Sequence, residues 1–277
     1  MFQDVAIAQL VFLAVGLLLA GALTGLLAGV FGVGGGAIIV PVLYEMFRLQ
    51  GIPEDIRMPL AVGTSLAVII PTSIRSFRAH RAKGAVDLSI LKAWAVPVVI
   101  GVIAGSLAAR YAPPDVFKAV FVVVAGASAI RLLFGRDSWR IADDLPKGPL
   151  MKVYGLVIGV LSALMGIGGG QISNLLMTFY GRPIHQAVAT SSGLGVLISI
   201  PGAIGYVYAG WPKMDVLPPL SLGYVSLLGA GLLVPTSIWT APLGVQLAHR
   251  LSKRKLEIAF GLFLSIICLR FLLGIVT

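Results

Sequence analysis

Two stretches decide how this chain is read: Gly32-Val33-Gly34-Gly35-Gly36 and, 134 positions later, Gly166-Ile167-Gly168-Gly169-Gly170. Each ends one apolar run and opens another that is too short to cross a bilayer. The eleven residues Ala37–Phe47 make about 16 Å of helix, against a hydrocarbon core of roughly 30 Å. Three successive glycines weaken a helix and suit a turn with unusual dihedrals. A hairpin that enters the membrane, turns at the glycines and leaves on the same side meets both conditions. It requires that protein or a water-filled cavity surround the exposed backbone. A broken helix at membrane depth, once in each half of a chain, points to a transporter's binding site.

Composition places the rest of the chain in lipid. It is 58% hydrophobic and 12% charged, with a mean hydropathy of +0.98; soluble domains carry about 25% charged residues. The net charge of +10 comes from 21 basic and 11 acidic residues. The basic residues cluster between apolar segments rather than on one face, which is the positive-inside pattern and argues for no nucleic acid. Cys268 stands alone, so no intramolecular disulfide forms, and three scattered histidines offer no metal-ligand cluster. Neither a Ser-His-Asp set nor a carboxylate pair suggests an enzyme, and no cofactor is implied. Met1-Phe2-Gln3-Asp4 lacks the basic start of a signal peptide, so the first apolar run is expected to remain as a spanning helix.

Hydropathy predicts helices over 5–31, a short arm over 37–47, then 59–74, a basic loop, 93–111 and 116–134. A basic connector follows, and the order repeats with 153–165, an arm over 172–180, then 187–208, 217–248 and 258–276. The repeat extends beyond the glycines. Ala61-Val62-Gly63-Thr64-Ser65 matches Ala187-Val188-Ala189-Thr190-Ser191, and Arg131-Leu132-Leu133-Phe134-Gly135 matches Arg270-Phe271-Leu272-Leu273-Gly274. The expected organisation is therefore a first transmembrane repeat (1–135), a cytoplasmic connector (136–152) and a second repeat (153–277).

Charge predicts their orientation. The loop after Thr64-Ser65 carries Arg75, Arg78, Arg81, Lys83 and Lys92 against Asp87, whereas its counterpart at 209–216 has only Lys213 and Asp215. The turn at 110–118 holds Arg110, Lys118 and Asp115, whereas 249–257 holds His249, Arg250, Lys253, Arg254 and Lys255 against Glu257. Strong and weak loops exchange places between the halves, so the repeats should be inverted, with the connector cytoplasmic and both ends outside. The fold class is an all-α integral membrane protein of two inverted repeats. Each repeat is a re-entrant or broken helical hairpin at a Gly-rich turn plus about three transmembrane helices.

The candidate substrate site gathers at the turns. Arms that begin at Gly36 and Gly170 present unpaired N-terminal amides at the positive end of a helix dipole, an anion cradle without a buried cation. Gly34, Gly35, Gly36, Gly168, Gly169 and Gly170 are its expected backbone, a purely structural turn being the alternative. Gln171, Ser173 and Asn174 open the second arm, where the first has Ala37, Ile39 and Val40, so the site is not symmetric. Thr64, Ser65, Thr190, Ser191 and Ser192 recur near helix starts and either line the site or hydrogen-bond to backbone. Arg75, Arg78, Arg182 and His185 read first as interfacial charges, and alternatively as a basic vestibule that concentrates anions. The spaced glycines Gly21, Gly25 and Gly29, like Gly155 and Gly159, suit close helix packing. Every carboxylate lies near the end of an apolar segment, Glu45 deepest, so a proton relay is not expected.

The chain resembles the TauE/SafE family of sulfite exporter-like permeases. The resemblance rests on Gly29–Gly36 with Pro41, on Ala61–Ser65 leading to Gly84-Ala85-Val86-Asp87, and on the second copy Met165–Gly170 with Ala187–Ser191. It covers essentially the whole chain. It implies a multi-pass permease of the bacterial inner (plasma) membrane for sulfite, sulfoacetate, other organosulfonates or thiosulfate. This chain departs from the commoner family pattern at Gln171-Ile172-Ser173-Asn174, at Ser192-Gly193, and where Trp211–Asp215 lengthens the second Gly-x-x-Asp turn. The expected partners are a small anionic substrate and the lipid bilayer, with a homodimer left open. Export by alternating access is the first expectation. An uptake permease or channel for the same anions, and a non-transporting membrane subunit, are the alternatives.

Overall fold

The computed structural model describes residues 7–31, 35–135, 140–250 and 253–276. Nearly all of these are helical: α1 (Ile7–Phe31), α2 (Gly36–Leu49), α3 (Glu54–Ala82), α4 (Leu88–Ala109), α5 (Pro114–Phe134), α6 (Pro149–Met165), α7 (Gly170–Phe179), α8 (Ile184–Gly210), α9 (Leu227–Arg250) and α10 (Lys253–Val276). Among the described residues, six helices are long and apolar enough to cross a membrane: α3, α4 and α5 in the first half, α8, α9 and α10 in the second. The chain is a multi-pass, all-helical membrane protein. The arms α2 and α7 are 14 and 10 residues long, too short to cross alone.

Helix pairings come in matched sets. The most extensive are α1 on α9, α4 on α6, α3 on α8 and α5 on α10, while α2 lies on α3 and α7 on α8. Small residues permit the two closest approaches. A Cβ on Gly21 or Gly25 of α1 would strike the α9 residues Thr236 and Ser237, and one on Gly159 of α6 would strike the Val98 carbonyl of α4. The spaced glycines are thus packing residues, as their periodicity suggested, except that Gly29 borders a cavity. The α5–α10 pair is fastened by Phe121 and Phe271, with ring centroids 5.1 Å apart and near-perpendicular. Tyr44 of the first arm meets the same Phe271 at 5.5 Å.

Several boundaries differ from the hydropathy reading. Helix α3 is 29 residues long, not sixteen, and Arg75, Arg78 and Arg81 lie on its last turns rather than in a loop. Hydropathy marks where lipid ends, whereas the backbone ladder continues until Gly84, at φ +66°, closes it with a bond from the Ala85 N–H to the His80 carbonyl. Thr64 and Ser65 consequently sit almost three turns into α3, not near its start. Lys118, taken as a loop charge, is buried on α5, where its Nζ donates to Glu54 Oε1 at 2.6 Å, Asp115 Oδ1 at 3.3 Å and the Gly274 carbonyl at 3.0 Å.

The expected helix over 217–248 is also corrected. Trp211–Val216 is a 3₁₀ turn, and Ser221–Leu222 pairs antiparallel with Val225–Ser226 in a small hairpin before α9 begins. Pro218 and Pro219 cannot supply helical donors there. The hairpin tip is structural: the Tyr224 N–H donates to the Tyr206 carbonyl at 3.1 Å, and Tyr224 is buried against Gly63 of α3. Asp87 and Ser226 are 139 positions apart, as are Arg131 and Arg270, so Ser226 rather than Asp215 is the counterpart of Asp87. The hairpin is the insertion that changes the repeat offset from 126 at the threonines to 139.

Candidate functional site

The glycine turns meet inside the protein. Gly35 and Gly169 share a left-handed conformation, φ 75° and 70°, and each caps the start of its arm. A Cβ on Gly36 would lie 2.5 Å from the Gly166 carbonyl oxygen and 2.8 Å from the Ile167 Cα, so the first turn rests directly on the backbone of the second. All the described turn residues, Gly35, Gly36 and Gly166–Gly170, are buried. Gly34, with Gly32 and Val33, lies outside the described residues.

Of the recurring hydroxyls, Ser65 holds this junction and the two threonines hold neighbouring helices. Ser65 Oγ donates to the Gly166 carbonyl at 2.7 Å. Thr64 Oγ1 donates to the Leu60 carbonyl and accepts the Ser226 N–H at 2.9 Å. Thr190 Oγ1 accepts the Asp87 N–H, also at 2.9 Å. Asp87 and Ser226 cap the helices that follow them, α4 and α9, through bonds from Ile90 and Gly229. Each half's threonine therefore anchors the next helix of the other half. Burial alone would raise the Asp87 carboxyl, but bonds from Ser89 and Ile90 hold it below its ordinary range. This cap is complete at neutral pH and is lost as pH falls through that lowered value.

Removing either anchor strands one backbone N–H. Thr64→Val and Thr190→Val are each expected to lower unfolding free energy by about 1–3 kcal/mol. Thr64→Val should cost more, because the Ser226 N–H is fully buried. Their different partners make the losses additive. Melting of the two single variants and the double variant in detergent checks this, and a double-variant loss equal to the larger single loss would contradict it.

Below the junction opens a cavity of about 390 Å³. Gly168, Gly195 and Ser73 approach closely at one end: a Cβ on Gly195 would lie 2.5 Å from Ser73 Oγ and 3.4 Å from the Gly168 carbonyl. Helix α3 contributes Thr72, Ser73, Arg75, Ser76, His80 and Lys83. These recur at three- and four-residue steps on one face and cover about 16 Å from Thr72 to Lys83. Ser191 and Ser192 of α8, Pro242 and Gln246 of α9, and Gly29 of α1 complete the walls. The cavity thus meets the C-terminal third of α3 and the N-terminal third of α8. Among the described residues its charged lining consists of Arg75 and Lys83, with His80 titratable and no carboxylate.

A family described as Sulfite exporter TauE/SafE matches residues 17–271. The chain belongs to the TauE/SafE family. It is 31% identical over 258 residues to a probable membrane transporter protein of Haemophilus influenzae, covering 92% of this chain and 97% of the relative. It is 30% identical over 264 residues to the probable membrane transporter protein MJ0441 of Methanocaldococcus jannaschii, covering 93% and 94%. The probable membrane transporter protein YunE of Bacillus subtilis is 25% identical over 274 residues, covering 91% and 94%. No solved structure matches. The names of these relatives describe transporters rather than enzymes, and they support the same class here.

In this TauE/SafE chain the site residues expected from sequence are not gathered in one place. Gly168, Ser191 and Ser192 line the cavity. Gly35, Gly36, Ser65, Gly169 and Gly170 form the junction above it, while Thr64 and Thr190 hold Ser226 and Asp87. Gln171 and Asn174 are buried at 5% and 8% exposure, on the second arm, away from the cavity lining. Among the described residues, both amide atoms of Gln171 and Oδ1 of Asn174 lack a partner, an unusual burial for polar groups. Arg75 belongs to the cavity, whereas Arg78 and His185 do not line it and Arg182 pairs with Asp144 at 2.7 Å. Thr72, Ser73, Ser76, His80, Lys83 and Gln246 were missed. For the five from Thr72 to Lys83, helical spacing along α3 and its cap was the available signal, hidden by ending that helix at 74; Gln246 on α9 had none.

Proposed function

We propose that this protein exports small sulfur-containing anions, such as sulfite, sulfoacetate or other sulfonates, across the membrane by alternating access. The observation that carries this reading is the cavity, which runs from Gly168 at the second glycine turn to Lys83 and offers cations, hydroxyls and an amide without a carboxylate. The TauE/SafE membership favours the same substrate class. The α3 end that carries Arg75, Arg78, Arg81 and Lys83 is the more basic, so the positive-inside rule puts the cavity mouth on the cytoplasmic side. Solute therefore enters from the cell interior, and outward movement of one negative charge gains about 2.3 kcal/mol per 100 mV.

Inverted repeats are part of the proposal. The equivalent helices α3 and α8 border the cavity with opposite ends, and each half's threonine anchors a helix of the other, as two antiparallel copies would. Rocking of the halves about the Gly36–Gly166 contact would then close the cytoplasmic mouth and open the opposite face.

Sulfite or sulfoacetate flux from loaded proteoliposomes is the test. Saturable efflux well above that of empty liposomes, increased by a potential positive on the receiving side, is expected. Flux no faster than in empty liposomes removes the proposal. Loss of accumulation on dissipating a sodium or proton gradient would identify an uptake permease instead.

A further inference from the structure

We infer that the cavity discriminates against solutes that carry an ammonium group, taking simple anions and rejecting aminosulfonate zwitterions of the same size. The inference rests on the anion-transport reading of the same cavity and deepens it. Arg75 and Lys83 are exposed within a space of about 390 Å³ that His80 also borders. A solute held between the two cations lies within about one Debye length of each, so mobile ions screen the interaction weakly. A positive charge on the solute meets like charges and finds no carboxylate among the described lining residues.

The acceptors that remain are weak ones. Thr72 Oγ1 donates to the Ile69 carbonyl at 2.9 Å, Ser191 Oγ to Val188 at 3.0 Å and Ser192 Oγ to Ala189 at 2.6 Å. These hydroxyls, with those of Ser73 and Ser76, keep lone pairs, and Gln246 and the His80 imidazole add neutral acceptors. Neutral lone pairs do not offset two full cations in a partly enclosed space. Asp87, the acidic group at the end of the same α3–α4 connection, is occupied by Ser89, Ile90 and Gln186. Discrimination here arises from a repulsive element and not from a tighter fit.

Propane-1-sulfonate and taurine are near-isosteric and differ in a terminal methyl against an ammonium, so they isolate this effect. Purified full-length protein is titrated with each, and with sulfite, at matched ionic strength, following the melting temperature, which rises with the logarithm of free ligand concentration over the dissociation constant. Propane-1-sulfonate is expected to bind at least about tenfold more tightly than taurine. Lys83→Glu, at the exposed C-terminal cap of α3, supplies the missing acceptor and should narrow the gap to within about threefold, with Lys83→Gln between the two. Equal affinity for propane-1-sulfonate and taurine in the unaltered protein overturns the inference while leaving anion transport intact. Stabilisation by sulfite alone overturns it too, by restricting the cavity to inorganic anions. No stabilisation by any of the three, together with absent flux, overturns both readings.

Discussion

Arg75→Glu is expected to reduce anion flux by about a hundredfold without unfolding the protein. The side chain is exposed within the cavity, close to the hydroxyls at Thr72 and Ser73 and about two turns before the cation at Lys83. Reversal changes the local charge by two units. For an anion about 7 Å away, with water partly screening the interaction, that amounts to ~2–3 kcal/mol, or about two powers of ten. Because Arg75 lies on an exposed stretch of α3, its loss removes little packing, and the melting temperature should change little. Arg78→Glu is the matched control, on the same helix and equally exposed but outside the cavity lining. Proteoliposome flux distinguishes the two: equal, small effects of both reversals would make Arg75 an interfacial charge and no more.

Gly36→Ala should produce the largest loss of stability of any single methyl addition at the turns. The added carbon falls 2.5 Å from the Gly166 carbonyl oxygen and 2.8 Å from the Ile167 Cα, and both obstacles are backbone. Neither can rotate away, so the two turns must part. A cost of ~3 kcal/mol or more follows from overpacking alone. Gly169→Ala acts differently. Its φ of 70° costs a non-glycine residue about 1–2 kcal/mol, and the new Cβ meets the flexible Ile198 Cδ1, which gives more readily than backbone. Gly231→Ala, with open space around it, should be neutral or slightly stabilising, since alanine is the better helix former. Thermal melting in detergent, with recovery as a monodisperse species, ranks the three. Gly36→Ala with wild-type stability would mean that the turns do not bear on one another.

The glycine triplets show how much was legible in the chain. Three glycines in a row announce a turn in any context, because no other residue occupies a left-handed dihedral so readily. The turns, the short arms and three long apolar helices in each half therefore follow from local composition. The repeated Thr64 and Thr190 announce a shared task, but their neighbours in sequence do not say which. Each acceptor serves a backbone donor in the opposite half, 162 positions away for Thr64 and 103 for Thr190. Asp215 was matched to Asp87 by residue type, whereas position in the fold selects Ser226, since an N-cap needs a short side-chain oxygen and not a charge.

Hydropathy and dihedral preference act over a few residues at a time, so local composition already marks a membrane protein with two glycine turns. What the turns touch, and which residues border the cavity, follow only from three-dimensional packing. The cavity takes one face from α3, one serine pair from α8 and the end of α9, and it exists because Gly168, Gly195 and Ser73 are small enough for three backbones to converge. Such convergence depends on distances between segments far apart in the chain, which no local pattern of residues encodes.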